Sequence, residues 1–208
     1  MNSFKKILCS ICMVAFSCSL FAQIGVRAGI TLPNQNYEQD GIDLSLDPNL
    51  GLTLALLFEL GITENFVIQP ELAFVQKGAK TKFEFQGVTE ESKLRINHID
   101  VPVLAKYKFG TESIAAYVAA GPTFGYAISG SSETDGNKES FDDEDWDGYN
   151  RFEIGASAGG GIGIPMAVGQ VFLDVRYLFS LSNLTDESDV TARNKGMNIS
   201  IGYSTAIK

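Results

Sequence analysis

Charged side chains alternate with apolar ones in several segments, and these charges are the residues best placed to do chemistry. Asp174 and Arg176, for example, alternate with Val175 and Tyr177. Successive side chains of a β-strand point to opposite faces, so the charges share one face and the apolar side chains the other. The alternation assigns five cations and five anions to polar faces: Arg27, Lys77, Lys106, Arg151 and Arg176, with Glu59, Glu71, Asp100, Glu153 and Asp174. Equal numbers of opposite charges predict an ion-paired network.

A second candidate site is the acidic segment 133–148, which holds eight acidic residues and one lysine. Within it, Asp143, Asp145, Asp147 and Gly148 reproduce the opening of a D-x-D-x-D-G calcium loop, in which oxygen ligands at alternate positions surround a hard cation. The carboxylate that normally closes such a loop is missing at the expected position. The alternative is a solvated acidic loop that repels other surfaces. No other cofactor is expected; calcium is the one cofactor for which the sequence offers a candidate site.

Three aromatic residues accompany the acidic run. Phe141 and Trp146 lie inside the segment 133–148, and Tyr149 directly follows it. They are candidates for a contact with a protein partner or a saccharide.

His98 is the single histidine of the chain and lies two residues from Asp100. This pair could form a catalytic dyad, but no nucleophile at a suitable spacing accompanies it. A histidine on a strand face is more often a hydrogen-bonded interior group. The sequence therefore predicts a protein that is not an enzyme.

Eight segments with strand periodicity carry these residues. They span 24–31, 49–60, 66–77, 95–109, 114–129, 149–164, 171–181 and 197–203. No helical segment separates them, which favours an antiparallel up-and-down arrangement. Short glycine-containing turns (61–65, 110–113 and 165–169) alternate with long polar stretches (32–48, 78–94, 131–148 and 182–194).

Short turns on one side and long loops on the other are typical of an outer-membrane barrel with short periplasmic turns and long external loops. The prediction is all-β: an eight-stranded antiparallel transmembrane β-barrel with its apolar faces in lipid. A soluble lipocalin-like barrel is the structural alternative, but its interior would be apolar. An eight-stranded barrel is just wide enough for side chains to fill. The balanced charges therefore favour a salt-bridged plug over a narrow ion path gated by the same pairs.

The N-terminal segment 1–22 has the pattern of a cleavable secretory signal peptide. Lys5 and Lys6 precede an apolar run over 7–20, and Ala22 is a plausible cleavage point. The barrel domain is then 23–208. No later stretch reaches the ~18 apolar residues of a membrane-spanning helix, so a membrane-spanning form of this chain has to be a barrel.

Composition limits the partners. All three cysteines lie within 1–22, so the predicted mature chain has none to form disulfides or thiolate metal sites. Loss of two lysines with the signal takes the net charge from −9 to −11. Such an acidic chain is a poor match for nucleic acid, whose phosphates require a basic surface. The expected partners are outer-membrane lipid and extracellular or envelope proteins, with the chain as a monomer.

Five segments resemble strands of the PorT-like outer-membrane β-barrel family of Gram-negative bacteria. They are VIQPELAFVQKGAK (67–80), INHIDVPVLAKYKF (96–109), AAGPTFGYAISG (119–130), RFEIGASAGGGIGI (151–164) and DVRYLFSLSNL (174–184). The resemblance covers the predicted mature chain and implies an eight-stranded barrel integral to the outer membrane. It implies no single activity and brings no catalytic residues.

Three functions follow in order of preference. The first is a non-enzymatic envelope protein that anchors acidic loops at the cell surface for interaction. The second is a narrow porin-like channel or an accessory to protein secretion. The third, disfavoured because no catalytic constellation is found, is a lipid-modifying enzyme of the outer membrane.

Overall fold

The computed structural model describes residues 22–39, 42–85, 88–111, 114–134, 136–186 and 190–206. The predicted signal peptide lies outside the described residues, apart from Ala22. No helix in the described part of the chain is long and apolar enough to cross a membrane.

Eight long antiparallel strands and two short ones make up the described part of the chain. In chain order they are β1 (Ala22–Gln39), β2 (Ile42–Ser45), β3 (Gly51–Gly61), β4 (Phe66–Phe85), β5 (Val88–Gly110), β6 (Ala115–Thr134), β7 (Asn137–Ser140), β8 (Phe152–Pro165), β9 (Gln170–Ser180) and β10 (Val190–Ala206). Each long strand pairs with the next long strand along the chain. The short β2 and β7 extend the sheet beside β1 and β6.

The sheet closes on itself because β10 also pairs with β1. Their register runs from Gln23 opposite Ala206 to Gln39 opposite Val190. Closure removes the exposed edges that an open sheet would present to other chains. The predicted eight-stranded antiparallel barrel is confirmed.

The strands extend well beyond the segments that periodicity identified. Much of the polar stretches predicted as loops is strand: β1 continues to Gln39, and β4 and β5 form a hairpin that reaches Phe85 and Val88. Outside the membrane both faces of a strand meet water, so the apolar alternation ends there. The hydrogen bonds to the neighbouring strand continue, and they keep the backbone extended.

Burial is inverted relative to a soluble protein. On β3, Leu52 and Leu54 on the outer face are 60% and 58% exposed, whereas Thr53 between them is buried. The same alternation on β9 exposes Leu173 and buries Asp174. An exposed apolar belt around a polar interior is stable only where the belt faces lipid, and it excludes the lipocalin-like alternative.

Candidate functional site

The barrel interior is filled by three layers of polar side chains. The layer nearest the short turns is built around Lys106 of β5. Its Nζ donates to Glu59 Oε1 at 2.6 Å and to Gln69 Oε1 at 3.1 Å. The same ammonium lies 3.8 Å from the ring centroid of Tyr117, a cation–π distance. Lys108 also pairs with Glu59 from the rim of this layer.

The central layer is built around Glu71 of β4. Arg27 of β1 donates to Glu71 Oε2 through two nitrogens, at 2.8 and 3.2 Å. Arg176 of β9 donates to Glu71 Oε1 at 2.7 Å, and its Nε pairs with Asp174 at 2.7 Å. The Tyr117 hydroxyl donates to the other oxygen of Asp174 at 2.6 Å. These groups are almost fully buried, so each carboxylate offsets the desolvation of its cations.

Gln69 joins the first two layers. Its amide nitrogen donates to Glu71 Oε1 at 2.5 Å, while its oxygen accepts from Lys106. The network from Lys108 through Glu59, Lys106 and Gln69 to Glu71 is therefore continuous.

The third layer lies nearer the long loops. Lys77 Nζ pairs with Asp100 at 3.0 Å and with Glu153 at 2.9 Å. The second oxygen of Glu153 accepts from Asn194 at 2.6 Å, and Asn194 in turn accepts from Gln35 at 3.0 Å. Five strands thus supply one hydrogen-bonded chain across the interior: β1, β4, β5, β8 and β10.

His98 is fully buried beside this third layer. Its Nε2 is 3.7 Å from Glu153 Oε2, and its Nδ1 is 3.4 Å from the Ile96 carbonyl. Asp100, the partner that a dyad requires, is paired with Lys77 instead. The geometry is that of an interior polar group.

The prediction that Arg151 belongs to the interior charge network is wrong. It is partly exposed at the loop side, where its guanidinium carbon lies 4.4 Å from the Trp146 ring centroid and 5.1 Å from that of Tyr126. Its Nε donates to the Ala127 carbonyl at 3.0 Å. Arg151 lies just before β8, so strand alternation does not hold its side chain in the lumen. The other nine predicted charges are buried in the interior.

Lys108 replaces Arg151 as the fifth cation of the network and was not predicted from the sequence. It lies two residues after Lys106 on β5, so alternation places the two on one face. That signal was present in the sequence. The assignment failed because Lys108 is close to the turn, where a side chain can reach either the lumen or solvent.

Glycines on β8 and β10 make room for the rings that fill the first two layers. A Cβ at Gly161 would overlap the Tyr117 hydroxyl and the Leu173 carbonyl oxygen, and one at Gly202 would overlap the Phe172 ring. Each ring therefore packs over the glycine opposite it on the neighbouring strand: Tyr117 over Gly161 and Phe172 over Gly202. The glycine-rich sequence of β8 is a packing feature of the filled lumen.

Little empty space is left at the level of the third layer. The cavity beside Lys77 and Glu153 has a volume of about 20 Å³, which accommodates about one water molecule. This cavity is too small for an ion that carries a hydration shell.

The long-loop end of the barrel carries the three candidate contact aromatics. Phe141 packs edge-on against Trp146 at 5.3 Å between ring centroids, and Trp146 packs edge-on against Tyr149 at 5.5 Å. These three rings pack against one another, and the contact of Trp146 with Arg151 attaches the acidic segment to the barrel. Burial raises the pKa of the Tyr149 and Tyr37 hydroxyls, so both stay neutral at physiological pH.

The acidic segment is folded back on itself. A 3-10 turn spans Glu144–Trp146, and Asp142 Oδ1 accepts from the Glu144 amide at 2.9 Å. The Asp145 carboxylate accepts from the Asp142 amide at 2.9 Å. Among the described residues, no three His, Cys, Asp or Glu side chains are grouped as metal ligands would be. Asp143, Asp145 and Asp147 therefore form no ready-made cage, and calcium binding stays the alternative to a solvated acidic loop.

Calcium titration of the purified protein tests this loop. We expect Trp146 fluorescence to stay constant up to ~1 mM calcium, the weak end of extracellular sites, because Asp145 is already engaged by backbone. Magnesium at the same concentration controls for ionic strength. A saturable change that disappears in Asp147→Asn would show instead that the loop rearranges into a calcium site.

Together, a closed barrel, a lipid-facing apolar belt and a charge-filled lumen define a β-barrel of the outer-membrane type. Residues 16–186 match the family described as "Outer membrane protein beta-barrel domain". The chain belongs to this family and is an integral outer-membrane protein. The match is to the broad family, and the narrower PorT-like resemblance stays a prediction. No curated protein is a significant match.

Several solved outer-membrane barrels are similar in structure. Neisserial surface protein A has a TM-score of 0.50 at 12% identity, over 89% of this chain and 97% of that one. OprG from Pseudomonas aeruginosa has a TM-score of 0.49 at 11% identity, over 90% and 97%. Ail of Yersinia pestis, solved with the heparin analogue sucrose octasulfate, has a TM-score of 0.43 at 16% identity, over 88% and 99%. At 12% identity the likeness to Neisserial surface protein A shows the barrel fold alone.

Proposed function

We propose that this chain is a non-enzymatic, non-conducting envelope protein that holds its long loops at the cell surface for interaction. The observation that carries the proposal is the continuous network through Glu59, Gln69 and Glu71, which fills the lumen with paired charges. A lumen filled in this way leaves the loop end as the surface available for partners.

The loop end has the features of an interaction surface. The hairpin of β4 and β5 and the extensions of β1 and β6 continue beyond the apolar belt. Between Phe141 and Leu184 the loop end forms an open cavity of about 360 Å³, with apolar side chains in its wall and Asp145 and Asp147 at its edge. Pockets of this size and lining are common ligand sites.

The proposal includes three further predictions made from the sequence. They are a cleavable signal peptide over 1–22, membership of the PorT-like group and a monomeric state. Extracellular or envelope proteins are the proposed partners, and the acidic charge of the chain argues against nucleic acid. His98 supports a non-enzymatic role because it is fully buried and its candidate partner Asp100 pairs with Lys77 instead.

Single-channel recording in planar bilayers tests the closed lumen. We expect no steady current from the purified protein, because hydrated ions are larger than the water-sized space beside Lys77. An unrelated porin inserted in the same bilayer controls for the assay. A steady current that changes in Arg176→Gln would favour the narrow channel instead.

A secretion accessory is the remaining alternative. It would also give no current by itself, but it would copurify with components of a secretion machine. The lipid-modifying enzyme would require turnover of outer-membrane lipid that is lost in His98→Gln.

A further inference from the structure

The outer surface of the barrel carries an uneven distribution of cations. On the long strands the outward-facing lysines and arginines lie on the long-loop side of the apolar belt: Lys80, Lys82, Lys93, Arg95, Arg193 and Lys195. By the usual arrangement of such barrels this side is extracellular. A protein with a net charge of −9 therefore presents positive charge at one membrane interface.

Arg95, Arg193 and Lys195 form no salt bridge in the described part of the chain, and of these three Arg193 and Lys195 lie together on one face of β10. Lys80, Lys82 and Lys93 pair with Glu91, and Lys93 also pairs with Glu133. Within the described ranges, no carboxylate forms a salt bridge with Arg193 or Lys195. Two neighbouring like charges repel each other, so an anion between them is favoured.

The two cations line a groove of about 180 Å³ across β1, β9 and β10. Its floor includes Tyr177 and Phe179, whose exposed rings lie 6.4 Å apart at 30°. Register places Lys195 opposite Phe179 and Arg193 opposite Asn36. An aromatic platform with cations above it matches a molecule that has an apolar part and an anionic head.

The height of the groove fits the headgroup layer. Met197, on the outer face of β10, lies opposite Tyr177 at the upper edge of the belt. At ~3.3 Å per residue and a tilt of about 40°, Lys195 and Arg193 lie about 5 and 10 Å beyond that edge. Lipid headgroups occupy a layer of roughly this depth on each side of the hydrocarbon core.

We propose that this groove binds the phosphate of an anionic lipid of the external leaflet, with Arg193 and Lys195 holding the headgroup. The aromatic rings of Tyr177 and Phe179 contact the acyl chains below it. Glu38, opposite Thr191 at the loop end of the groove, limits the site on the solvent side and repels a second anion.

Thermal unfolding in phosphatidylcholine nanodiscs, with and without lipid A, tests the proposal on the full-length protein. We expect lipid A to raise the Tm of the wild type and the double variant Arg193→Gln/Lys195→Gln to lose this shift. At about 1 kcal/mol for each cation near an anionic surface, the double variant should bind lipid A roughly 30-fold more weakly. Native mass spectrometry of retained lipid measures that affinity directly.

Three controls separate the explanations. Lys138→Gln removes an exposed loop cation on β7 and should leave the shift unchanged. Glu38→Gln should strengthen binding, because it removes the one carboxylate that lines the groove. Inorganic phosphate in plain nanodiscs should give no shift. The proposal is wrong if phosphate alone reproduces the effect, if the double variant keeps it, or if the wild type shows none.

Discussion

Replacing Glu71 with glutamine should remove most of the folded protein. Glu71 is the shared partner of Arg27 and Arg176, and all three side chains are almost fully buried. An amide of the same shape leaves Arg176 paired with Asp174 and removes the carboxylate with which Arg27 forms its salt bridge. Removing one partner of a buried ion pair costs about 3–5 kcal/mol, a large part of the stability of a domain of this size.

The measurement is the urea midpoint of the heat-modifiable, folded band of the protein in detergent or vesicles. Glu64→Gln is a matched control, because Glu64 is exposed in the turn between β3 and β4. The double variant Glu71→Gln/Arg27→Met should recover part of the loss, since Arg176 then keeps Asp174 as its partner. Equal midpoints for Glu71→Gln and Glu64→Gln would show that the central layer contributes nothing to stability.

Adding a single methyl group at Gly161 should also destabilise the barrel strongly. Its Cβ would overlap the Tyr117 hydroxyl and the Leu173 carbonyl oxygen, so the ring and the backbone must both shift. Overpacking of this kind costs about 1–3 kcal/mol. Displacing the Tyr117 hydroxyl from Asp174 adds roughly 1–3 kcal/mol for a buried group that loses its hydrogen bond.

Gly163→Ala, two residues further along β8, provides the control for Gly161→Ala. There the nearest atom to a new Cβ is the flexible end of Gln170, at 3.0 Å, which can move aside. We expect this variant to be neutral or slightly more stable, because alanine restricts the unfolded chain by about 0.4–1 kcal/mol relative to glycine. If both alanine variants unfold at the same urea concentration, Tyr117 does not depend on the space above Gly161.

The sequence was sufficient to predict the fold because the period of a strand is a local property. Alternation over six to eight residues identifies the outer face, and the burial of Asp174 beside exposed Leu173 follows from it. Strand ends were less predictable. Where β4 and β5 leave the membrane, the apolar signal stops but the paired backbone continues to Phe85 and Val88.

Arg151 and Lys108 show why the interior was predicted less well than the face pattern. Alternation gives the side of the sheet on which a residue lies, and it applies only inside a strand. Arg151 lies one residue before β8 and turns to Trp146, while Lys108 lies near the end of β5 and turns to Glu59. Both outcomes depend on where the strand ends and on which groups are within reach.

The sequence by itself determined that the chain forms eight amphipathic strands with a charged inner face, because adjacent residues point in opposite directions whatever lies across the barrel. Only the tertiary structure decided which charges meet. Arg27, Glu71 and Arg176 come from β1, β4 and β9, and none of these strands is a neighbour of another in the sheet. Their contact crosses the lumen and depends on the closure and stagger of the whole barrel, which no local pattern contains.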